Sequence, residues 1–297
     1  MEIRKTISDL RQSLVWHQQQ RRTVGLVPTM GNLHRGHMAL IKAAVVDCDI
    51  VVTSIFINPL QFGPDEDLAS YPHTPDADID LLQESGCHYL FMPSATEMYG
   101  KKTTDANSIV KVPCLSELYC GASRPGHFNG VTTVVSKLFN IVHPDIAYFG
   151  LKDYQQFVII RQLVEDLCFP IKLVGIETVR EASGLAMSSR NNYMDSQQRC
   201  IAASLYRTLR FMADQVKQGL YSISDLENQG LEQIMSIGMK PDYLSICNAR
   251  TLEPANDETK YFAILAAAFI GSTRLIDNVR FQLDRSGQML SKSGKSS

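Results

Sequence analysis

The sequence predicts an α/β fold: a doubly wound parallel sheet followed by a second, smaller α+β domain. Three observations predict it. Up to about residue 178, short apolar runs alternate with helix-patterned stretches. Several of those runs are apolar almost throughout, as strands buried on both faces are. Beyond residue 180 the alternation gives way to two helical stretches followed by three strand-like runs.

Taken in order, the strands of the first part are expected at 23–27, 50–57, 89–92, 146–149 and 171–176. Each is a short β-branched or aromatic run ending in turn formers. Helices are expected at 6–20, 36–47, 75–85, 127–142 and 153–167, where the apolar period lengthens to that of a helix. In the second part, helices at 196–218 and 223–237 precede strands at 242–247, 261–270 and 273–281. The expected domains are therefore 1–178 and 179–285, with a hinge near 176–182. Residues 286–297, rich in Ser, Lys and Gly, read as a disordered polar tail.

Composition narrows the function classes. The chain has 297 residues, 44% hydrophobic and 20% charged, enough for two cores. A formal net charge of −2 gives no overall pull towards nucleic acid or an anionic membrane. The apolar run 262–270 is too short to span a bilayer. The charged N-terminal residues Glu2, Arg4, Lys5, Asp9 and Arg11 do not resemble a signal peptide. Seven scattered cysteines form no C-x-x-C pair, which favours reduced thiols and a cytoplasmic location.

The polar clusters fall where strands end. Pro28-Thr29-Met30-Gly31-Asn32-Leu33-His34-Arg35-Gly36-His37 lies between the first main strand and a helix. Such a turn offers open backbone N–H groups and the positive end of a helix dipole to a phosphate. Its glycines allow close approach, and its imidazoles can donate as charge builds up. Asn58-Pro59-Leu60-Gln61-Phe62 follows the next strand, and Gly150-Leu151-Lys152-Asp153-Tyr154-Gln155-Gln156 follows another. Met187-Ser188-Ser189-Arg190 lies in a loop after the last, with hydroxyls and a fixed cation suited to closing over a triphosphate. In a doubly wound sheet these four clusters share one edge, where ligands bind. Lys152 can reach a phosphate while Asp153 accepts from ribose hydroxyls. Gln61 and Gln156 suit a hydroxyl and a carboxylate of a small acid. The acidic segment around Asp76, Asp78 and Asp80 reads mostly as a solvated helix start, and His127 as the beginning of a helix.

The pair H-x-G-H with a later M-S-S-R resembles the HIGH/KMSKS-type nucleotidyltransferase superfamily. The longer strings PTMGNLHRGH, FINPLQFGP, SRPGHFNGVTTVV, FGLKDYQQ, TVREASGLAMSSRNNY and GSTRLIDN together resemble the pantoate–β-alanine ligase family. The match runs over about residues 20–195 and reappears near the C-terminus. The resemblance implies a Rossmann-like first domain, a lid-like second domain, and ATP-dependent condensation of pantoate with β-alanine through pantoyl adenylate. It implies that Met30, His34, His37, Lys152, Ser188, Ser189 and Arg190 hold the ATP phosphates. Gly150, Asp153, Val179 and Met187 would surround ribose and adenine. Gln61 and Gln156 would hold pantoate, with Val134 and Val135 against its methyl groups. Mg²⁺ would accompany the phosphates, with Asp78 associated with the metal, and the chain would form a homodimer. His34, His37, Lys152 and Arg190 would carry the chemistry.

Three positions depart from the family pattern: Leu151, His73 and Ser183, where Glu, Arg and Asp are usual. An alternative is a nucleotidyltransferase that stops at a stable nucleotidyl product; the pair Gln61 and Gln156 and the Val134-Val135 wall argue against it. A nucleic-acid-binding synthetase-like protein is disfavoured by the charge balance. A non-catalytic nucleotide sensor has no need for the two histidines, Lys152 and Arg190 together.

Overall fold

The structure is a computed structural model that describes residues 1–64, 66–101, 108–219 and 221–283. The expected polar tail at 286–297 lies outside the described residues. The chain divides into two compact units, one of Met1–Glu181 with Ala186–Asn192, the other of Ala182–Leu185 with the chain from Tyr193 onward.

The first unit runs β1 (Glu2–Arg4), α1 (Ile7–Gln19), β2 (Val24–Thr29), α2 (Arg35–Asp47) and β3 (Ile50–Ile55). It continues through α3 (Pro75–Glu84), β4 (Tyr89–Phe91), α4 (Ala95–Tyr99), α5 (Cys120–Ser123) and α6 (His127–Val142). Then come β5 (Ile146–Gly150), α7 (Tyr154–Asp166) and β6 (Lys172–Ile176). Six parallel strands pair in the order β1-β4-β3-β2-β5-β6. The chain builds outward from β2 through β3 to β4, then returns to place β5 on the other side of β2. The loops leaving β2 and β5 therefore diverge and open a crevice at the carboxyl edge of the sheet.

Local chemistry explains the boundaries. Thr6 caps α1 by accepting a hydrogen bond from the Asp9 N–H at 3.1 Å. Residues 50–54 of β3 are buried without interruption, the pattern of a strand covered on both faces. On one face Ile41, Val51, Leu82, Leu90 and Tyr148 form a core. Helix α6 is buried around most of its circumference, including Val131, Val134, Val135, Leu138 and Phe139, as a central helix must be.

The second unit contains α8 (Ser196–Gln218), α9 (Ile223–Ser236) and an antiparallel sheet of β7 (Lys240–Asn248), β8 (Tyr261–Ile270) and β9 (Thr273–Gln282). Asp195 and Gln198 cap α8 reciprocally, at 2.8 and 3.2 Å. Leu209, Met212, Ile234, Ile246, Ile264 and Ala266 belong to one core.

The division differs from the expected boundary at 178/179. The first unit keeps Val179–Glu181 and takes back Ala186–Asn192. The reason is an antiparallel turn: Arg180 bridges Ala186, and the Met187 N–H donates to the Val179 carbonyl at 2.9 Å. The second unit is α+β, as expected.

Candidate active site

Four loops at the carboxyl edge of the sheet line one cavity of the first unit. Its lining includes Met30, His34 and His37 from the β2–α2 turn, Gln61 after β3, Gly150, Lys152, Asp153 and Gln156 after β5, and Val179 with Met187–Arg190 after β6. Val134 and Val135 of α6 form part of its wall.

The histidine turn is built by its own backbone. His34 is the N-cap of α2, and its Nδ1 accepts from the Gly36 N–H at 3.1 Å. The Nδ1 of His37 accepts in turn from the His34 N–H at 3.3 Å. The rings stack, with centroids 4.1 Å apart. Gly36 is required here, because a Cβ would stand 2.9 Å from the His34 ring. Each Nδ1 accepts a hydrogen bond, so each neutral ring carries its own proton on Nε2. Burial, and then the Lys152 charge, lowers the His34 pKa to about 4. Burial lowers that of His37 to about 3, with His34 and Lys152 adding to the effect. Near neutral pH the turn thus holds two uncharged Nε2–H donors.

Asp78 lies beneath this turn, 2% exposed. Its Oδ2 accepts from the Asn32 N–H at 2.9 Å, and its Oδ1 from the Leu33 N–H at 2.7 Å and the Thr74 hydroxyl at 3.2 Å. Both oxygens are occupied by the chain itself, and Asp78 does not line the cavity of the four loops. Asp78, for which a metal association was expected, is thus engaged with the backbone of the histidine turn and holds that turn in shape. Among the described residues, no group of three or more His, Cys, Asp or Glu could hold a metal ion.

Around the remaining wall, the Lys152 Nζ stands 3.5 Å from Asp153 Oδ1. Arg190 makes a two-pronged ion pair with Asp67, at 3.1 and 2.8 Å, and lies over the Tyr71 ring. The Ser189 hydroxyl donates to the Asn32 carbonyl at 3.3 Å, tying the second loop to the histidine turn. Gln61 directs its Nε2 to Met30 Sδ at 2.9 Å, and its Oε1 accepts from Asn58 at 3.2 Å. Gln155, by contrast, is buried and anchors residues 115–120 through the Cys120 N–H and the Leu115 and Leu118 carbonyls.

The structure thus brings every expected site residue except Asp78 to one cavity. Sequence reasoning missed Arg124 and His127, which also line it. The available signal was a histidine just after Pro125-Gly126 and three residues before Gly130. It also missed Asp67 as the partner of Arg190.

Fold and cavity define a class first: a doubly wound α/β protein whose H-x-G-H turn and later M-S-S-R loop face one site at the strand-order reversal, the arrangement of HIGH/KMSKS-type nucleotide-binding proteins. Within it, the family model described as pantoate-beta-alanine ligase matches residues 2–280. The pantothenate synthetase of Stutzerimonas stutzeri is 50% identical over 283 residues, covering 95% of this chain and 99% of that protein. That of Pseudomonas aeruginosa is 50% identical over 280 residues, covering 94% and 99%. The crystal structure of pantothenate synthetase from Thermus thermophilus superposes with a TM-score of 0.87 at 44% identity, covering 94% of this chain and 99% of that one. The ligase of Francisella tularensis, crystallised with β,γ-ATP and β-alanine, gives 0.79 at 34% identity, covering 94% and 97%. The chain belongs to the pantoate–β-alanine ligase family. No helix among the described residues is long and apolar enough to cross a membrane.

Proposed function

We infer that this chain condenses pantoate with β-alanine at the expense of ATP, through a pantoyl adenylate. One observation supports the reading beyond family membership: the residues assigned to the phosphates and those assigned to the small acid line the same cavity. A pantoate carboxylate oxygen attacks the α-phosphorus, a P–O bond forms, and the bond to pyrophosphate breaks. The β-alanine amine then attacks the acyl carbon, loses a proton, and AMP leaves.

On this reading His34 and His37 present Nε2–H donors to phosphate oxygens, where charge grows in the transition state. Lys152 and Arg190 supply fixed positive charge, and Met30, Ser188 and Ser189 complete the phosphate site. Gly150, Asp153, Val179 and Met187 surround ribose and adenine. Gln61 and Gln156 bind the acid, and Val134 and Val135 pack against its methyl groups. In-line attack needs positioning and charge neutralisation, not a covalent nucleophile. Mg²⁺ fits without a protein cage, since it keeps waters and binds largely through substrate phosphates. When bound it neutralises phosphate charge.

The smaller unit is assigned the role of a lid. The chain passes between units at Glu181–Ala182, Leu185–Ala186 and Asn192–Tyr193, which is where a hinge would act. The family's dimeric habit supports a homodimer, and the scattered cysteines support a cytoplasmic enzyme.

The test is exchange of labelled pyrophosphate into ATP. Pantoate alone should support exchange, and net AMP release should require β-alanine. Exchange that needs β-alanine would remove the discrete adenylate. Exchange supported by another nucleotidyl acceptor and not by pantoate would favour the nucleotidyltransferase alternative.

A further inference from the structure

The segment Arg124-Pro125-Gly126-His127-Phe128-Asn129-Gly130 has no part in the reaction described above, yet it packs against Gln61. Glu66 grips Arg124 with both carboxylate oxygens: Nε donates to Oε1 at 2.6 Å, and NH2 donates to Oε2. The ion pair is half-buried and holds the guanidinium plane. Arg124 then directs NH1 to His127 Nε2 at 3.0 Å and NH2 to the Gln61 backbone carbonyl at 3.3 Å.

A guanidinium only donates, so the Nε2 of His127 must accept, and the ring proton must sit on Nδ1. That Nδ1 stands 2.7 Å from the same Gln61 carbonyl. The tautomer is imposed by Arg124, and one carbonyl oxygen receives two donors. The rest of the turn is pinned as well. Asn58 Nδ2 donates to the Gly130 carbonyl at 3.0 Å and to Gln61 Oε1 at 3.2 Å. A Cβ on Gly130 would lie 2.2 Å from the Leu60 carbonyl oxygen, so only glycine allows α6 to approach this closely.

We propose that Glu66, Arg124 and His127 are a positioning set that fixes the Gln61 backbone and so aims its side-chain amide at the small hydroxy acid. His127 acts through its Nδ1–H, and Glu66 acts by holding Arg124. With its charge already matched by Glu66, Arg124 orients His127. This inference rests on the reading of Gln61 as an acid-binding residue.

Replacement of His127 tests it, because two amide side chains place their nitrogen differently. In His127→Asn the amide nitrogen falls near the position of Nδ1 and can still donate to the Gln61 carbonyl. In His127→Gln it falls near Nε2, and in His127→Ala the donor is gone. Apparent KM values for pantoate, ATP and β-alanine are measured for each, with Tm as a folding control. The expected result is a pantoate KM raised about tenfold in His127→Ala and His127→Gln, the scale of one hydrogen bond. His127→Asn should recover most of that loss, Glu66→Gln should follow His127→Ala, and the KM values for ATP and β-alanine should stay put. Equal losses in His127→Asn and His127→Ala would overturn the proposal, as would a loss falling on β-alanine. Gln61→Ala separates the two levels. If it leaves the pantoate KM unchanged, the acid-site reading fails. If it raises the KM while His127→Ala does not, only the positioning role fails.

Discussion

Asp78→Ala distinguishes a turn-holding carboxylate from a metal ligand. The substitution removes the acceptors of the Asn32 and Leu33 N–H groups, now 2.9 and 2.7 Å from carboxylate oxygens in a site 2% exposed. Each buried donor left unsatisfied costs about 1–3 kcal/mol, so the pair should destabilise the first unit by roughly 2–6 kcal/mol. For a unit of this size, Tm should fall on the order of 10 °C. Asp78→Asn keeps one acceptor and should lose about half as much. Function should fall with the same cause, because Asn32 and Leu33 lead directly into the His34 cap. The assay is urea unfolding in magnesium-free buffer, paired with calorimetric titration of ATP over a range of Mg²⁺. Weakened ATP binding that excess Mg²⁺ does not restore is the expected outcome. An Asp78→Ala protein as stable as the parent, with ATP binding recovered at high Mg²⁺, would refute this assignment and return Asp78 to the metal.

Two further outcomes are expected. His34, His37 and His127 have folded pKa values lowered to about 4, 3 and 4, chiefly by burial. Below about pH 6.5 the unfolded chain therefore binds more protons than the folded one. Stability should fall as pH drops from 6.5 towards 4, by up to about 1.4 kcal/mol per pH unit for each histidine. Urea midpoints that stay flat across that window would contradict the buried neutral state. In hydrogen exchange, ATP with Mg²⁺ should slow the amides of residues 186–192, and Arg190→Ala should abolish the slowing while β2, β3 and β5 are unaffected. Unchanged protection in this loop would reduce Arg190 to the partner of Asp67.

The parallel sheet was legible because its central strands are buried on both faces. Ile50-Val51-Val52 cannot be mistaken for a solvated helix face, and the observed strand Ile50–Ile55 sits inside the expected one. Glu2-Ile3-Arg4 carries one apolar residue and forms a three-residue edge strand beside β4, so periodicity had nothing to detect. The histidine turn was legible because two histidines, two glycines and a strand-to-helix junction coincide within ten residues. What stayed hidden are pairings of side chains with distant partners. Asp78 meets Asn32 and Leu33, His127 meets Gln61, and Arg190 meets Asp67, across 45 to 123 positions of chain. Hydrogen bonds at that separation leave no period in the sequence. An aspartate in an acidic helix start looks solvated until the backbone above it is in place.

These hidden pairings divide the polar groups of the site by their freedom to move. The imidazoles of His34 and His37 are locked by backbone N–H bonds within a single turn, and that turn rests on Asp78. Gln61 is held by Asn58, Arg124 and His127. Donors fixed in this way need no reorganisation when charge moves onto phosphate, which is where preorganisation lowers a barrier. The cations are held differently. Lys152 faces Asp153 at 3.5 Å, and Arg190 faces Asp67 through a partly exposed pair. The single Lys152 contact is a weak one, whereas the two-pronged Arg190 pair yields only to a partner of higher charge such as a triphosphate. Under the proposed reaction, neutral donors would fix the geometry of attack before ATP arrives. The cations would then exchange a carboxylate for a phosphate as it binds, so that each positive charge keeps a partner both before and after ATP enters.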